Sequence, residues 1–185
     1  FNAINRTGNT DSRAFFQRLH ELLHVMLREG TLHLADGRLP HTFYLAYVRA
    51  ACLSGNTDLA EAFIKNHSKN LVSSDIAGLV GYCKALLAYT QNKLQESLHI
   101  LLALKSTELR TEAQLRVLHV QVAYTLGDEH NFFRINEALR KFLDRHPELG
   151  EHFQALMKRF NQFADSIARI RFAHNSPSKT LRKRI

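Results

Sequence analysis

The chain has 185 residues, of which 45% are hydrophobic and 23% are charged, with 3 Pro, 8 Gly and no Trp. This composition predicts one globular domain with a sizeable core, and it excludes disorder over most of the length. The net charge is +8 at pH 7, from 25 Lys and Arg against 17 Asp and Glu. The segment 158–185 holds eight basic residues and only one acidic residue, so the excess belongs to one end of the chain.

The cysteine positions and the hydropathy exclude two further classes of protein. Cys52 and Cys83 lie in apolar helical patterns, where a thiol acts as a small hydrophobic side chain, so a disulfide scaffold is excluded. The longest aliphatic stretch, 100–104, is far shorter than the ~18–20 residues that span a bilayer. The lack of secretory and membrane features favours a cytoplasmic protein. Because the sequence begins at Phe1, we expect a processed or truncated piece that could have lost a targeting segment.

Apolar residues recur at spacings of three and four along nearly the whole chain, without a sustained period of two, which predicts an all-α protein. A polar leader at 1–10 precedes a first amphipathic helix at 11–29, and a turn containing Asp36-Gly37 and Pro40 follows it. We expect the later helices at about 41–54, 57–70, 75–91, 93–104, 109–126, 129–145 and 147–173. Asp58 and Asp75 suit helix N-termini, and Pro147 suits a first turn.

The helices form pairs that repeat every 35 residues. The segment YVRAACLSGNTDLAEAF from Tyr47 aligns with YCKALLAYTQNKLQESL from Tyr82, and AYTQNK from Ala88 aligns with AYTLGD from Ala123. A period in the mid-thirties, with two helices and a tight turn, is typical of stacked helical hairpins that bury their apolar faces against each other. Three copies suffice for a continuous core.

This pattern resembles the tetratricopeptide-like (TPR-like) superfamily with degenerate repeats, over about residues 41–145. The layout also resembles uncharacterised bacterial helical-repeat proteins, a resemblance that implies no known activity. The TPR-like resemblance implies a right-handed α-solenoid of stacked antiparallel helix pairs, with about eight helices in one domain, 11–173. Its segments are a capping helix at 11–29, repeats at about 41–71, 75–105 and 109–145, and a long capping helix at 147–173.

The closing helix carries nine apolar residues that helical spacing places on one stripe. They are Leu149, Phe153, Leu156, Met157, Phe160, Phe163, Ala164, Ile167 and Ile170. We expect this stripe to complete the core at the open end of the stack, because terminal repeats of a solenoid need a cap. The alternative is a helix that binds a partner or a second copy.

A candidate binding groove follows from the repeat. The first helices are interrupted at equivalent places by basic residues, Arg49, Lys84 and His119, with Arg116 one turn before His119. On the concave side of a solenoid these positions would form a mildly basic ladder that could bind an acidic peptide through charge-assisted hydrogen bonds. The alternative is that the side chains lie over apolar surface with their charged ends in water.

All five tyrosines lie in first helices, and Tyr47 matches Tyr82 in the 35-residue register. An aromatic ring with a polar tip suits a groove wall, so we include both residues in the candidate groove. Ordinary packing between neighbouring hairpins is the favoured alternative.

The one motif of catalytic type is His20-Glu21-Leu22-Leu23-His24, which matches H-E-x-x-H. On a helix, this spacing could place two imidazoles on a Zn²⁺ ion, with Glu21 as general base. No third ligand has a recognisable spacing, and Leu19, Leu23 and Met26 are expected to occupy the buried face. We therefore expect His20 and His24 to lie at the surface or rim, and we expect no metal and no cofactor.

The C-terminal segment 174–185 is predicted to be a basic flexible tail, with Lys179, Arg182, Lys183 and Arg184. It could bind nucleic acid in a salt-sensitive way, although it lacks the interleaved aromatic residues that stack on bases.

These features together predict a non-enzymatic scaffold that binds a protein or peptide partner in the groove, without a membrane. The alternative is an RNA-binding helical-repeat protein that uses the basic C-terminal helix and tail, and a zinc metallopeptidase centred on His20, Glu21 and His24 is a remote one.

Overall fold

The structure is a computed structural model that describes residues 10–175, with side chains described for 12–173. This part of the chain is mainly helical, with two short strands, as the apolar periodicity predicts. The α-helices in chain order are α1 (Thr10–Arg28), α2 (His41–Ser54), α3 (Thr57–His67), α4 (Ile76–Thr90), α5 (Leu94–Ala103), α6 (Leu109–Leu126), α7 (Glu129–Arg145) and α8 (Glu151–Asn175). No helix in the described range is long and apolar enough to cross a bilayer.

Most helix ends lie close to their predicted positions because the residues there have local roles. Gly55 ends α2 with a φ of 91°, a left-handed conformation that glycine adopts at low cost. The carboxylate of Asp75 caps α4 by accepting a hydrogen bond from the Gly78 N–H at 2.8 Å. Asp58 lies in the first turn of α3, where the helix dipole favours a negative charge.

Two short strands were not predicted. Helix α3 ends at His67, earlier than expected, and a 3₁₀ turn at Ser68–Asn70 leads into β2 (Leu71–Val72). This strand pairs in parallel with β1 (Leu39–Pro40). Strands of two residues leave no period-two pattern in a sequence, so periodicity could not reveal them.

The last helix also begins later than expected. Residues Pro147–Leu149 form a 3₁₀ turn, and α8 starts at Glu151, after Gly150 with a φ of 84°. Pro147 occupies the first turn of the 3₁₀ segment and not that of α8.

The chain divides into two compact units, one up to Leu115 and one from Arg116, so the boundary falls within α6. In the first unit, α2 packs on α3 and α4 packs on α5, while α4 also contacts α2 and α3. The connections inside these pairs, at 55–56 and 91–93, are so short that the paired helices run antiparallel.

Helix α4 lies at the centre of the first unit. Between residues 81 and 89, every side chain or glycine is buried except Lys84. A helix that is apolar on nearly all sides is typical of a position between other elements. The single exposed residue in this stretch is therefore conspicuous.

The second unit contains the helical pair α7 and α8. Phe132, Leu139 and Leu143 of α7 are buried, and α8 contributes Ala168 and Phe172. The predicted continuous stripe on the closing helix was wrong in part: only Leu149 and Ala164 of its nine residues are buried. Leu156, Phe163 and Ile170 are more than half-exposed, and the other four are half-buried. The cause is that α7 packs against a different side of α8, centred on Asn161 and Ala168.

Candidate functional site

Lys84, the exposed residue within the buried stretch 81–89 of α4, lines two adjoining cavities in the first unit. The two cavities have volumes of about 520 and 500 Å³, and both are lined by Ser68, Lys84 and Ile100. We call the two cavities together the Lys84 cleft. Helix α4 supplies the floor, and the walls come from α3 and α5, the second helices of the two pairs.

One half of the Lys84 cleft is rich in charge. Its lining residues include Glu61 and Lys65 from α3, and Glu96 from α5 with Lys93 immediately before it. Three ammonium groups, counting Lys84, therefore stand around two carboxylates, so this half is mildly basic. The arrangement can pair with carboxylates of a bound chain through charge-assisted hydrogen bonds.

The other half is mainly apolar. Ile76, Val80 and Gly81 of α4 lie along it, with Ala103 and Leu104 at the end of α5. Cavities of several hundred Å³ that combine apolar walls with a few polar groups are typical of ligand and peptide sites. The Lys84 cleft thus offers apolar contact area next to a charged region.

The two glutamates of the cleft were not predicted from the sequence, although the repeat contains a signal for them. Glu61 and Glu96 are 35 residues apart, so they occupy equivalent positions in successive second helices. The groove predicted from the basic ladder is a surface formed by the first helices only. The cleft around Lys84 is instead bounded by second helices.

Arg49, the equivalent of Lys84 one repeat earlier, is exposed on α2 but lines neither cavity of the cleft. Its charge instead acts on buried groups of α4. Burial raises the pKa of Tyr82 to about 12, although Arg49 lowers it in part, and burial likewise raises the pKa of the Cys83 thiol. Both groups stay protonated at neutral pH.

The two tyrosines of the predicted groove do not form an accessible wall. Tyr47 is 2% exposed and Tyr82 is 6% exposed, so both belong to the core. The Tyr47 ring stacks on Phe63 at a centroid distance of 4.0 Å, and its hydroxyl lies 2.9 Å from His24 Nδ1. Packing between helices, the alternative considered above, explains both positions.

The remaining ladder residues, Arg116 and His119, lie on the part of α6 that belongs to the second unit. The Arg116 guanidinium lies 4.6 Å from the centre of the Phe142 ring, a cation–π contact. His119 is half-buried, and burial lowers its pKa, with smaller effects from Arg134 and Arg116. These two side chains therefore pack within their own unit.

The H-E-x-x-H histidines have different environments, and the expectation that both lie at the surface or rim was wrong for His20. His20 is only 3% exposed, whereas Glu21 and His24 are exposed. The ring centroids of His20 and His24 are 6.1 Å apart, and Asn56 Nδ2 lies 3.3 Å from His20 Nδ1. Among the residues that the structure describes, no group of three His, Cys, Asp or Glu side chains could hold a metal ion.

The basic residues Lys179, Arg182, Lys183 and Arg184 of the predicted tail lie outside the described residues. A comparison of the chain with protein-family models, curated proteins and solved structures gave no match.

Proposed function

We propose that this chain is a non-enzymatic interaction module that binds a peptide segment of a partner protein in the Lys84 cleft. The proposal includes a TPR-like solenoid built from the 35-residue repeats. A helical-repeat scaffold needs no catalytic residues, because its binding surface comes from equivalent positions in successive hairpins.

The observation that carries the proposal is the position of Lys84. Lys84 is the one exposed side chain in the buried stretch 81–89 of α4, and it lines both of the cavities of about 520 and 500 Å³. A segment with one apolar side chain and a neighbouring carboxylate would match the apolar half of the cleft and the ammonium groups of Lys65, Lys84 and Lys93.

Charge reversal at Lys84 tests this proposal, with Arg49 as the matched control. Both side chains are exposed and 35 residues apart, but only Lys84 lines the cleft. The wild-type chain and the variants Lys84→Glu and Arg49→Glu are immobilised, and the proteins that they retain from a lysate are quantified by mass spectrometry.

We expect Lys84→Glu to lose at least about tenfold of the specifically retained partner, and Arg49→Glu to retain it. Circular dichroism must show the same helix content in all three proteins. Equal retention by wild type and Lys84→Glu would remove the cleft from the proposal, and loss by both variants would favour the ladder of first helices instead.

A further inference from the structure

The outward side of α8 carries an apolar stripe that no described part of the second unit covers. Leu156 is 54% exposed, Phe163 is 53% exposed and Ile170 is 62% exposed. Their spacing of seven residues, which is close to two helical turns, aligns them along about 21 Å of one helix side. We call these three residues the α8 stripe.

The stripe is not a loosely packed part of the core, because a different side of α8 already makes the core contacts. Asn161 exchanges hydrogen bonds with Asn136 of α7, and Phe172 packs near Phe132 at a centroid distance of 6.2 Å. Ala168, on the same side, is fully buried. Helix α8 therefore has one side that packs on α7 and a second apolar side that is free for a partner.

The surroundings of the stripe are mildly basic. Arg159, one turn from both Leu156 and Phe163, is exposed. Two other cations of α8 are already neutralised, because Lys158 lies 2.9 Å from Asp144 and Arg169 lies 2.6 Å from Asp165. The four basic residues of the tail follow directly in the sequence, so segment 158–185 carries the net charge of +7.

Charge and area together argue against a second copy as the occupant. Two copies would bring two segments of +7 together, and like charges disfavour such a contact. Three half-exposed side chains offer roughly 300 Å² of apolar surface, well below the ~800 Å² per partner of a standard stable interface. The stripe therefore needs an occupant that adds favourable electrostatic contacts to a small apolar area.

We propose that the α8 stripe docks an amphipathic helix of a partner protein, with an apolar side that meets Leu156, Phe163 and Ile170 and with acidic residues that flank it. Helix pairing of this kind is a common mode of peptide recognition, with anchors spaced by three, four and seven residues. This inference rests on the proposed role as an interaction module, and it assigns that role a second surface.

The test uses two fluorescein-labelled peptides of about 21 residues, each designed as an amphipathic helix with leucine on one side. One peptide has glutamate on the flanks of the leucine side and the other has lysine. Binding to the full chain is measured by fluorescence anisotropy at about 50 and about 300 mM salt. We expect the glutamate peptide to bind with an affinity that falls at the higher salt, and the lysine peptide to bind at least about tenfold more weakly.

Variants locate the contact. Phe163→Ser and Ile170→Ser should each weaken binding of the glutamate peptide at least about fivefold, and Arg159→Glu about threefold or more. The matched control is Leu22→Ser on α1, because Leu22 is 57% exposed but belongs to the first unit. Leu22→Ser and Lys84→Glu should both leave the affinity for the glutamate peptide unchanged. Because Lys84→Glu alters only the Lys84 cleft, its effect here distinguishes binding at the α8 stripe from binding at the cleft. Circular dichroism and urea midpoints verify that each variant folds.

Four results would overturn the inference. They are equal binding of the two peptides, no binding of the glutamate peptide, a loss with Leu22→Ser as large as with Phe163→Ser, and no effect of Phe163→Ser or Ile170→Ser. Two further measurements test the other occupants. Light scattering tests a second copy of the chain, and sedimentation with vesicles of phosphatidylserine and phosphatidylcholine tests a lipid surface. A dimer abolished by Phe163→Ser would assign the stripe to a second copy, and Phe163-dependent vesicle binding without peptide binding would assign it to a lipid surface.

Discussion

Asp75 shows how one side chain can connect two parts of the first unit. Its carboxylate accepts a hydrogen bond from the Gly78 N–H, which caps α4, and others from Ser106 Oγ at 2.5 Å and the Thr107 N–H at 2.9 Å. Burial alone would raise the pKa of Asp75, but these hydrogen bonds outweigh burial and lower it. The cap of α4 therefore also holds the segment that leads into α6.

The Asp75 cluster requires glycine at position 78. A Cβ atom on Gly78 would overlap the Asp75 carboxylate and lie 2.9 Å from Ser106 Oγ. We expect Gly78→Ala to lower the free energy of unfolding by about 1–2 kcal/mol, the cost of losing a cap, although alanine favours a helix more than glycine. Because the chain has no Trp, urea unfolding is followed by circular dichroism.

The control for this prediction is Gly78→Ala in a background that carries Asp75→Ala and Ser106→Ala. Both obstructing groups are absent there, so Gly78→Ala should be neutral or stabilising by up to about 1 kcal/mol. An equal loss in both backgrounds would contradict the overlap as the cause.

The burial of His20 leads us to expect that the protein loses stability at acidic pH. Burial lowers its pKa, the charge of His24 lowers it further and Glu21 raises it in part, while Tyr47 and Asn56 face the ring from the neighbouring segment. The unfolded chain therefore binds the His20 proton more readily, and stability must fall as the pH drops below about 6.5. We expect His20→Gln to reduce the difference between urea midpoints at pH 7.5 and pH 5.5.

His24 offers the comparison, because it lies one turn away on α1 but is exposed. His24→Gln should leave more of the pH dependence in place than His20→Gln does. The same pH dependence in wild type and His20→Gln would show that other groups cause it, such as His67 and His119, whose pKa values are also lowered by burial.

At the scale of elements, the α7 and α8 pair is aligned by two buried asparagines. Asn161 Nδ2 lies 2.7 Å from both the backbone oxygen and Oδ1 of Asn136, and Asn136 Nδ2 lies 3.3 Å from the Asn161 backbone oxygen. Both residues are less than 7% exposed. A polar pair within an apolar helical interface favours one alignment of the helices, since a shift would leave amides buried without partners.

Removing one member of the pair should cost more than replacing both. We expect Asn161→Leu alone to lower the free energy of unfolding by about 1–3 kcal/mol, because the Asn136 amide stays buried without its partner. The double variant Asn136→Leu, Asn161→Leu should recover part of that loss. Urea unfolding of both single variants and the double variant completes the cycle, and strictly additive losses would show that the two amides do not act as a pair.

At the scale of the whole chain, half of the net charge of +8 lies in the tail. A chain that ends at Asn175 lacks Lys179, Arg182, Lys183 and Arg184, which lowers the net charge to +4. If the chain retains RNA or DNA through these residues, filter binding should be sequence-independent. For the shortened chain, the slope of log affinity against log salt concentration should then become shallower by up to about 3 units. An unchanged slope would show that nucleic acid contacts residues outside the tail. It would favour an RNA-binding surface within residues 10–175.

The sequence by itself determined the helical class and nearly all helix positions. Spacings of three and four residues reveal amphipathic helices, and the helix ends at Gly55, at Asp58 and at the Gly78–Asp75 hydrogen bond depend on residues close in the sequence. The 35-residue register also singled out Lys84. The solenoid arrangement and the TPR-like family stay predictions.

Only the tertiary structure decided which side of each helix is covered. Nine apolar residues on α8 have one periodicity, but α7 covers only one side of the helix, so Leu156, Phe163 and Ile170 stay exposed while the polar Asn161 is buried. Likewise, Tyr47 and Tyr82 lie in the core, and second helices form the walls beside Lys84. Periodicity measures angles around one helix axis, whereas burial depends on where the neighbouring helices lie, and that is settled by contacts between residues distant in the sequence.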